Sequence, residues 1–196
     1  MLLSCLTGGE FITEVNETAL KCQRYTCDEV DSWDTDERYE LIDGELYLMA
    51  TPLRVHQKIS MDLSRQLGSF LFWKSCEAYC APFAVYLNDD NFTKVEPDIV
   101  VVCDKSKLTD KGLRGAPDLI IEILSPSSLR RDKITKFNKY LNAGVREYWI
   151  VEPDNKIVSV YILRNGEYTA KSYTETDTVS VNVLEGCQIE LKYVFE

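Results

Sequence analysis

A mixed α/β domain is the fold class this chain predicts, and three observations carry it. Two short runs, Pro97-Asp98-Ile99-Val100-Val101-Val102 and Leu119-Ile120-Ile121-Glu122-Ile123-Leu124, are almost wholly apolar and bounded by proline and turn residues. Continuous Val/Ile/Leu runs of that length read as strands buried on both faces. Val55, Ile59, Leu63, Leu67 and Leu71 recur every four residues, which marks one face of a long helix. Asp43-Gly44 and Asn165-Gly166 each stand between strand-like segments, and such dipeptides favour the positive φ values of two-residue hairpin turns.

Composition sets the limits. A chain of 196 residues with 45% hydrophobic residues can bury one sizeable core, so a single domain over 28–196 is expected behind an N-terminal arm, 1–27. No apolar stretch approaches the roughly 20 residues that span a bilayer. Met1-Leu2-Leu3-Ser4-Cys5-Leu6 has no basic flank and Glu10 interrupts it, unlike a secretory leader. A cytoplasmic protein without a membrane partner is the expectation. Seven cysteines, odd in number and scattered, suit reduced and mostly buried thiols. The pairs Cys22/Cys27 and Cys76/Cys80 have the only zinc-like spacing, and neither is a tight knuckle.

Taken in order, Thr26 caps a short acidic helix that runs toward Asp36. Glu40-Leu41-Ile42 and Glu45-Leu46-Tyr47-Leu48 form the first hairpin. Leu53 to Trp73 is the longest helix, with His56, the single histidine, in its first turn. Glu77 to Leu87 reads as a strand pair or bent strand around Pro82, and Asn88 to Asn91 as a polar turn. A long polar loop fills Asp104 to Pro117. Ser125-Pro126-Ser127-Ser128 opens a basic helix, Leu129 to Asn142, which Gly144 closes. Glu147 to Val151 is the next strand, Val158 to Leu163 and Tyr168 to Tyr173 form the second hairpin, and Val179 to Phe195 adds a strand and a closing segment.

Chemistry is concentrated in the two apolar runs, because each carries one carboxylate where burial makes a charge costly. The economical explanation is a shared cation between Asp98 and Glu122. Two carboxylates completed by substrate oxygens and water are a common way to hold Mg²⁺. Asp118 also follows a proline, but it precedes Glu122 by four residues on the same strand. At about 3.3 Å per residue their Cα atoms stand about 13 Å apart, too far to share one ion. Net charge is −10, yet Asp104 to Lys139 holds nine basic against five acidic residues. Met1 to Ala50 holds twelve acids against three bases and would repel DNA.

Glu96-Pro97-Asp98-Ile99, Ala116 to Pro126, then Asp132, Lys136, Tyr140 and Gly144 to Val151 together resemble the Uma2 family (DUF820) of the PD-(D/E)XK nuclease superfamily. Tyr39 to Glu45 and the Pro52/His56 pair extend the similarity upstream, over roughly Tyr39 to Val151. The resemblance implies a restriction-endonuclease-like mixed sheet flanked by helices, to which the two hairpins are additions. It implies a metal-dependent phosphodiesterase site with Asp98 and Glu122 as metal ligands and catalytic acids, served by Mg²⁺ or Mn²⁺. His56, Glu45 and Asp132 become secondary candidates.

One position departs from the pattern. The superfamily's lysine falls two residues after the second acid, and there this chain has Leu124. Lys136 is the natural substitute, on a helical stripe with Asp132 and Tyr140 at four-residue spacing. The expected activity is endonucleolytic hydrolysis of DNA, with Lys105, Lys107, Lys111, Arg114, Arg130 and Arg131 contacting the nucleic acid. A homodimer is compatible with this pattern. The alternative is a catalytically inactive nuclease-like fold that binds protein or nucleic acid.

Overall fold

The two apolar runs lie side by side as antiparallel strands at the centre of a mixed α+β fold. The computed structural model describes residues 23–87, 91–125 and 131–196, and of 131–133 the backbone alone. In chain order come α1 (Cys27–Asp31), β1 (Tyr39–Ile42), β2 (Glu45–Leu48), α2 (Arg54–Leu71), β3 (Glu77–Cys80), β4 (Val85–Tyr86), β5 (Lys94–Val95) and β6 (Ile99–Val102). There follow β7 (Leu108–Thr109), β8 (Gly112–Arg114), β9 (Leu119–Ile123), α3 (Phe137–Ala143), β10 (Glu147–Glu152), β11 (Ile157–Arg164) and β12 (Glu167–Thr174). A small antiparallel pair, β13 (Thr178–Ser180) and β14 (Gln188–Glu190), ends the order.

The central sheet has the strand order β12-β11-β10-β9-β6-β3 and the second sheet the order β2-β1-β5-β4-β8-β7. Only β9–β10 in the first and β4–β8 in the second are parallel. The hairpins are therefore not ornaments: β11 and β12 lengthen the central sheet, while β1 and β2 belong to the second. Both turns have the required positive φ, 54° and 84° at Asp43-Gly44 and 52° and 85° at Asn165-Gly166.

Burial of the central strands on both faces follows from what covers them. Ile99, Val101, Leu119, Ile121 and Trp149 face Ile59, Leu63 and Leu67 of α2 and the β13–β14 segment. Val100, Val102, Ile120 and Ile150 face Tyr140 of α3 and Val85, Val95 and Leu113 of the second sheet. The α2 stripe begins at His56 rather than Val55, which is 43% exposed. A strict four-residue spacing drifts by about 40° per step from the helix period, so three-then-four spacing keeps to one face.

Other boundaries differ from expectation for local reasons. The Thr26-capped helix ends at Asp31, not near Asp36; its cap is a full capping box with Glu29. Tyr25 N–H donates to Gly44 O at 2.9 Å and Cys27 N–H to Asn91 O at 2.8 Å, tying the end of the expected arm to the domain. Residues 1–22, 88–90 and 126–130, with most of that arm, the polar turn and the start of the basic helix, lie outside the described residues. Residues Arg131–Lys136 wind as a π-helical turn before α3, and Gly144, at φ 82°, closes the helix as its spacing predicts.

The expectation of seven reduced thiols needs correcting. Cys76 and Cys103 are joined by a disulfide. The register of β3 on β6 pairs Glu77 with Val102, so the next residues outward, Cys76 and Cys103, stand directly opposite. Their Cα atoms are 4.0 Å apart. Among the described residues Cys27 and Cys187 are buried and Cys80 is exposed, all three outside any disulfide.

Candidate active site

Register brings the two lone carboxylates together. Ile99 of β6 pairs with Ile121 of β9, which sets Asp98, just before β6, beside Glu122 near the end of β9. Alternation puts both on the sheet face that carries Val100 and Ile120. Asp98 Oδ2 accepts the Ile123 N–H at 2.7 Å, where a continuing strand would have offered a carbonyl. His56 Nε2 stands 3.2 Å from the same oxygen. The first turn of α2 therefore reaches the aspartate around the strand end.

Glu122 is 4% exposed and takes two donors from the helical segment that follows. Lys136 Nζ lies 2.9 Å and Tyr140 Oη 2.6 Å from Glu122 Oε1. Four-residue spacing aligns them. Burial, with the Glu122 carboxylate next, pushes the Tyr140 phenol well above its ordinary value, so it remains a donor. Lys136, 3% exposed, has a second carboxylate at 2.7 Å, Glu40 Oε1 of β1. Glu40 is fully buried and also accepts the Glu96 N–H at 3.1 Å.

Asp98, His56, Glu122, Lys136 and Glu40 line one cleft of about 340 Å³ between the strand ends, the start of α2 and the second sheet, bordered also by Arg38, Glu96, Pro52 and Leu53. At its mouth the Arg38 Nε donates to Glu96 Oε2 at 2.9 Å, and its NH2 group bonds the same oxygen.

Of the residues singled out in the sequence, Asp98, Glu122, Lys136 and His56 share this cleft. Glu45 does not: it is exposed and accepts the Tyr47 hydroxyl at 2.9 Å. Glu40 lines the cleft instead, and a signal for it existed. It is a lone acid inside an apolar strand, the criterion that selected Asp98 and Glu122, whereas Glu45 merely opens its strand after a turn. Asp118 is a structural group, accepting Cys103 N–H at 2.7 Å and Arg146 at 2.8 Å.

The basic loop lies elsewhere. Lys105, Lys107, Lys111 and Arg114 follow the far end of β6 from Asp98, and none lines the cleft. Lys105 pairs with Glu77, Lys107 donates to Ala116 O at 3.0 Å, and Arg114 lies 4.8 Å over the Tyr86 ring. The side chains of Asp132 and Arg131, and Arg130 altogether, lie outside the described residues.

The donor set suits a hard cation. Asp98 and Glu122 present carboxylate oxygens from adjacent strands, and Mg²⁺ usually keeps several waters beside one or two carboxylates. Among the described residues no group of three or more His, Cys, Asp or Glu is placed to hold a metal ion by itself.

Comparison with known proteins agrees with this architecture. A solved structure from Anabaena variabilis ATCC 29413, described as "a putative nuclease belonging to DUF820", superposes with a TM-score of 0.71 at 22% identity. The match covers 87% of this chain and 97% of that one, and shows the fold. Two proteins of Synechocystis sp., both uncharacterized, are similar in sequence. One, slr1290, is 27% identical over 148 residues, 74% of this chain and 77% of its own. The other, sll1609, is 27% identical over 119 residues, 59% and 67%. The profile of the Uma2 family, described as "Putative restriction endonuclease", matches residues 27–192. That span runs from α1 beyond β14 and takes in every cleft residue named above, and the chain belongs to the Uma2 family.

Proposed function

We propose that the chain is a metal-dependent endonuclease that hydrolyses DNA phosphodiester bonds in this cleft. One observation carries the reading: two buried-strand carboxylates meet at the strand ends, and a lysine from the following helix reaches the second of them.

Asp98 and Glu122 would hold Mg²⁺ or Mn²⁺. When bound, such an ion lowers the pKa of a water and screens charge developing on phosphorus. The chain's own groups do the positioning. The Ile123 N–H and His56 fix the Asp98 carboxylate, and Tyr140 and Lys136 fix Glu122. The Lys136 amine donates to Glu122 beside Glu40, and its role is to orient the attacking water and to stabilise negative charge on the phosphoryl oxygens.

The test is cleavage of supercoiled plasmid with Mg²⁺, with Mn²⁺ and with EDTA. Wild type should nick or linearise the plasmid only with a cation, and Asp98→Asn and Glu122→Gln should each lose on the order of 10²-fold or more in rate. Tight DNA binding without cleavage under any of these conditions would replace the proposal with the binding-module reading.

A further inference from the structure

A nuclease cleft must hold a polyanion, yet the four described residues of the basic loop lie outside it. Among the described residues that line the cleft, the lysine and arginine side chains are Arg38 and Lys136. Lys136 is 3% exposed and donates to Glu122 and Glu40, so it cannot serve as the first anchor for an arriving strand. Arg38 differs on both counts. Its side chain is 40% exposed while that of its partner, Glu96, is 14% exposed. Both guanidinium bonds go to a single oxygen, Glu96 Oε2, through Nε and NH2.

We propose that Arg38 is the phosphate anchor of the cleft, binding a backbone phosphodiester next to the scissile one. This rests on the reading of the cleft as a nuclease site. Three features favour it over a plain surface ion pair. A guanidinium carries five N–H donors in a fixed fork, so docking one edge on Glu96 leaves donors for a phosphate and pre-orients them. The Glu96 backbone N–H is tied to Glu40 Oε1, which links the anchor to the Lys136 cluster through short bonds. Glu96 also lies two residues before Asp98, so the strand that positions the carboxylate positions the anchor with it. On the opposite side of the mouth the lining residues Pro52 and Leu53, the latter 58% exposed, carry no charge.

The experiment is fluorescence anisotropy of a short labelled DNA duplex with Ca²⁺ present to prevent cleavage, over a series of salt concentrations. One lost phosphate contact lowers the slope of log K against log salt by about 0.9, so a fourfold rise in salt should cost wild type about 3.5-fold more affinity than it costs Arg38→Gln. Arg38→Lys should keep the slope but bind less tightly, since it keeps the charge and loses the fork. The double variant Arg38→Gln/Glu96→Gln removes the acid that would otherwise be left uncompensated, and it should bind as weakly as Arg38→Gln.

Recovery of wild-type affinity in that double variant would overturn the proposal, because Arg38 would then serve only to neutralise Glu96. An unchanged slope in Arg38→Gln, with wild type binding and cleaving DNA, would overturn the anchor alone. Failure of wild type to bind or cleave any DNA would overturn the anchor and the nuclease reading together.

Discussion

The Lys136 ammonium lies 2.9 Å from Glu122 Oε1 although fourteen residues separate the two in sequence. The nearer position, Leu124, is 6% exposed and packs in the apolar cluster with Tyr140 and Ile150. It shares a face with Glu122 by strand alternation. The place a lysine would take two residues after the acid is filled by a core leucine, and the charge comes from the helix instead.

Lys136→Met should therefore lower metal-dependent cleavage by on the order of 10²-fold or more while leaving DNA affinity close to wild type. Single-turnover rates and anisotropy on the same duplex separate the two effects. Full activity in the variant refutes the assignment. Recovery of activity on adding Leu124→Lys to the dead variant would be strong support, since it returns the ammonium from the strand.

Metal binding is separable from catalysis. Calorimetric titration of Mn²⁺ should give a heat of binding for wild type that is weakened at least tenfold in both Asp98→Asn and Glu122→Gln. If the three proteins titrate alike, the two carboxylates do not share an ion. Wild type should also melt at a higher temperature with Mn²⁺ than with EDTA, because an ion bound only by the folded state stabilises it.

Glu40 gives a stability prediction. It is fully buried and bonded to Lys136, and although Lys136 keeps Glu122 as a partner, losing Glu40 takes the acceptor from the Glu96 N–H, which costs about 1–3 kcal/mol. Glu40→Ala should lose that order of stability in urea unfolding. Arg146→Ala, at a 60% exposed guanidinium paired with Asp118, should lose about 1 kcal/mol or less. Equal losses would mean that the Glu40 bonds add no more stability than an exposed ion pair.

Glu147 sets a pH dependence. Burial raises its carboxyl above the ordinary 4.5 despite donors from Trp149, Val183 and Asn182. The folded state thus holds this proton more tightly than the unfolded chain. Its stabilising contribution is complete below about pH 4.5 and is lost as pH rises through the elevated folded value. Stability measured by urea midpoint should contain that falling component in wild type and lack it in Glu147→Gln. An identical profile in both proteins contradicts the assignment.

How much of this was legible in the sequence depended on whether a feature is local. The hairpin turns at Asp43-Gly44 and Asn165-Gly166 and the Gly144 helix stop follow from backbone conformations that those residues favour. Asp98 and Glu122 stood out because a carboxylate in an apolar run is costly wherever the run packs. The second sheet was not legible: β4 and β5 are two residues each, too short for a periodic signal, and they cohere only by pairing with distant strands. The same non-locality hid Glu40, whose meaning depends on a lysine 96 positions later, and left the basic loop looking closer to the site than β6 allows.

The bond between Cys76 and Cys103 closes a ring of chain that contains β3, β4, β5, β6 and, within it, Asp98. β3 is the outer strand of its sheet, the place where a sheet would begin to peel under thermal or mechanical load. With the ring closed, pulling on the chain before residue 76 transfers force directly to the far end of β6 and bypasses the intervening segment. Closing a loop of this length is worth about 3–4 kcal/mol against the unfolded chain. The Asp98 carboxylate is thus held on a tethered span, and a thiol reductant would release the β3 border of the central sheet from that tether.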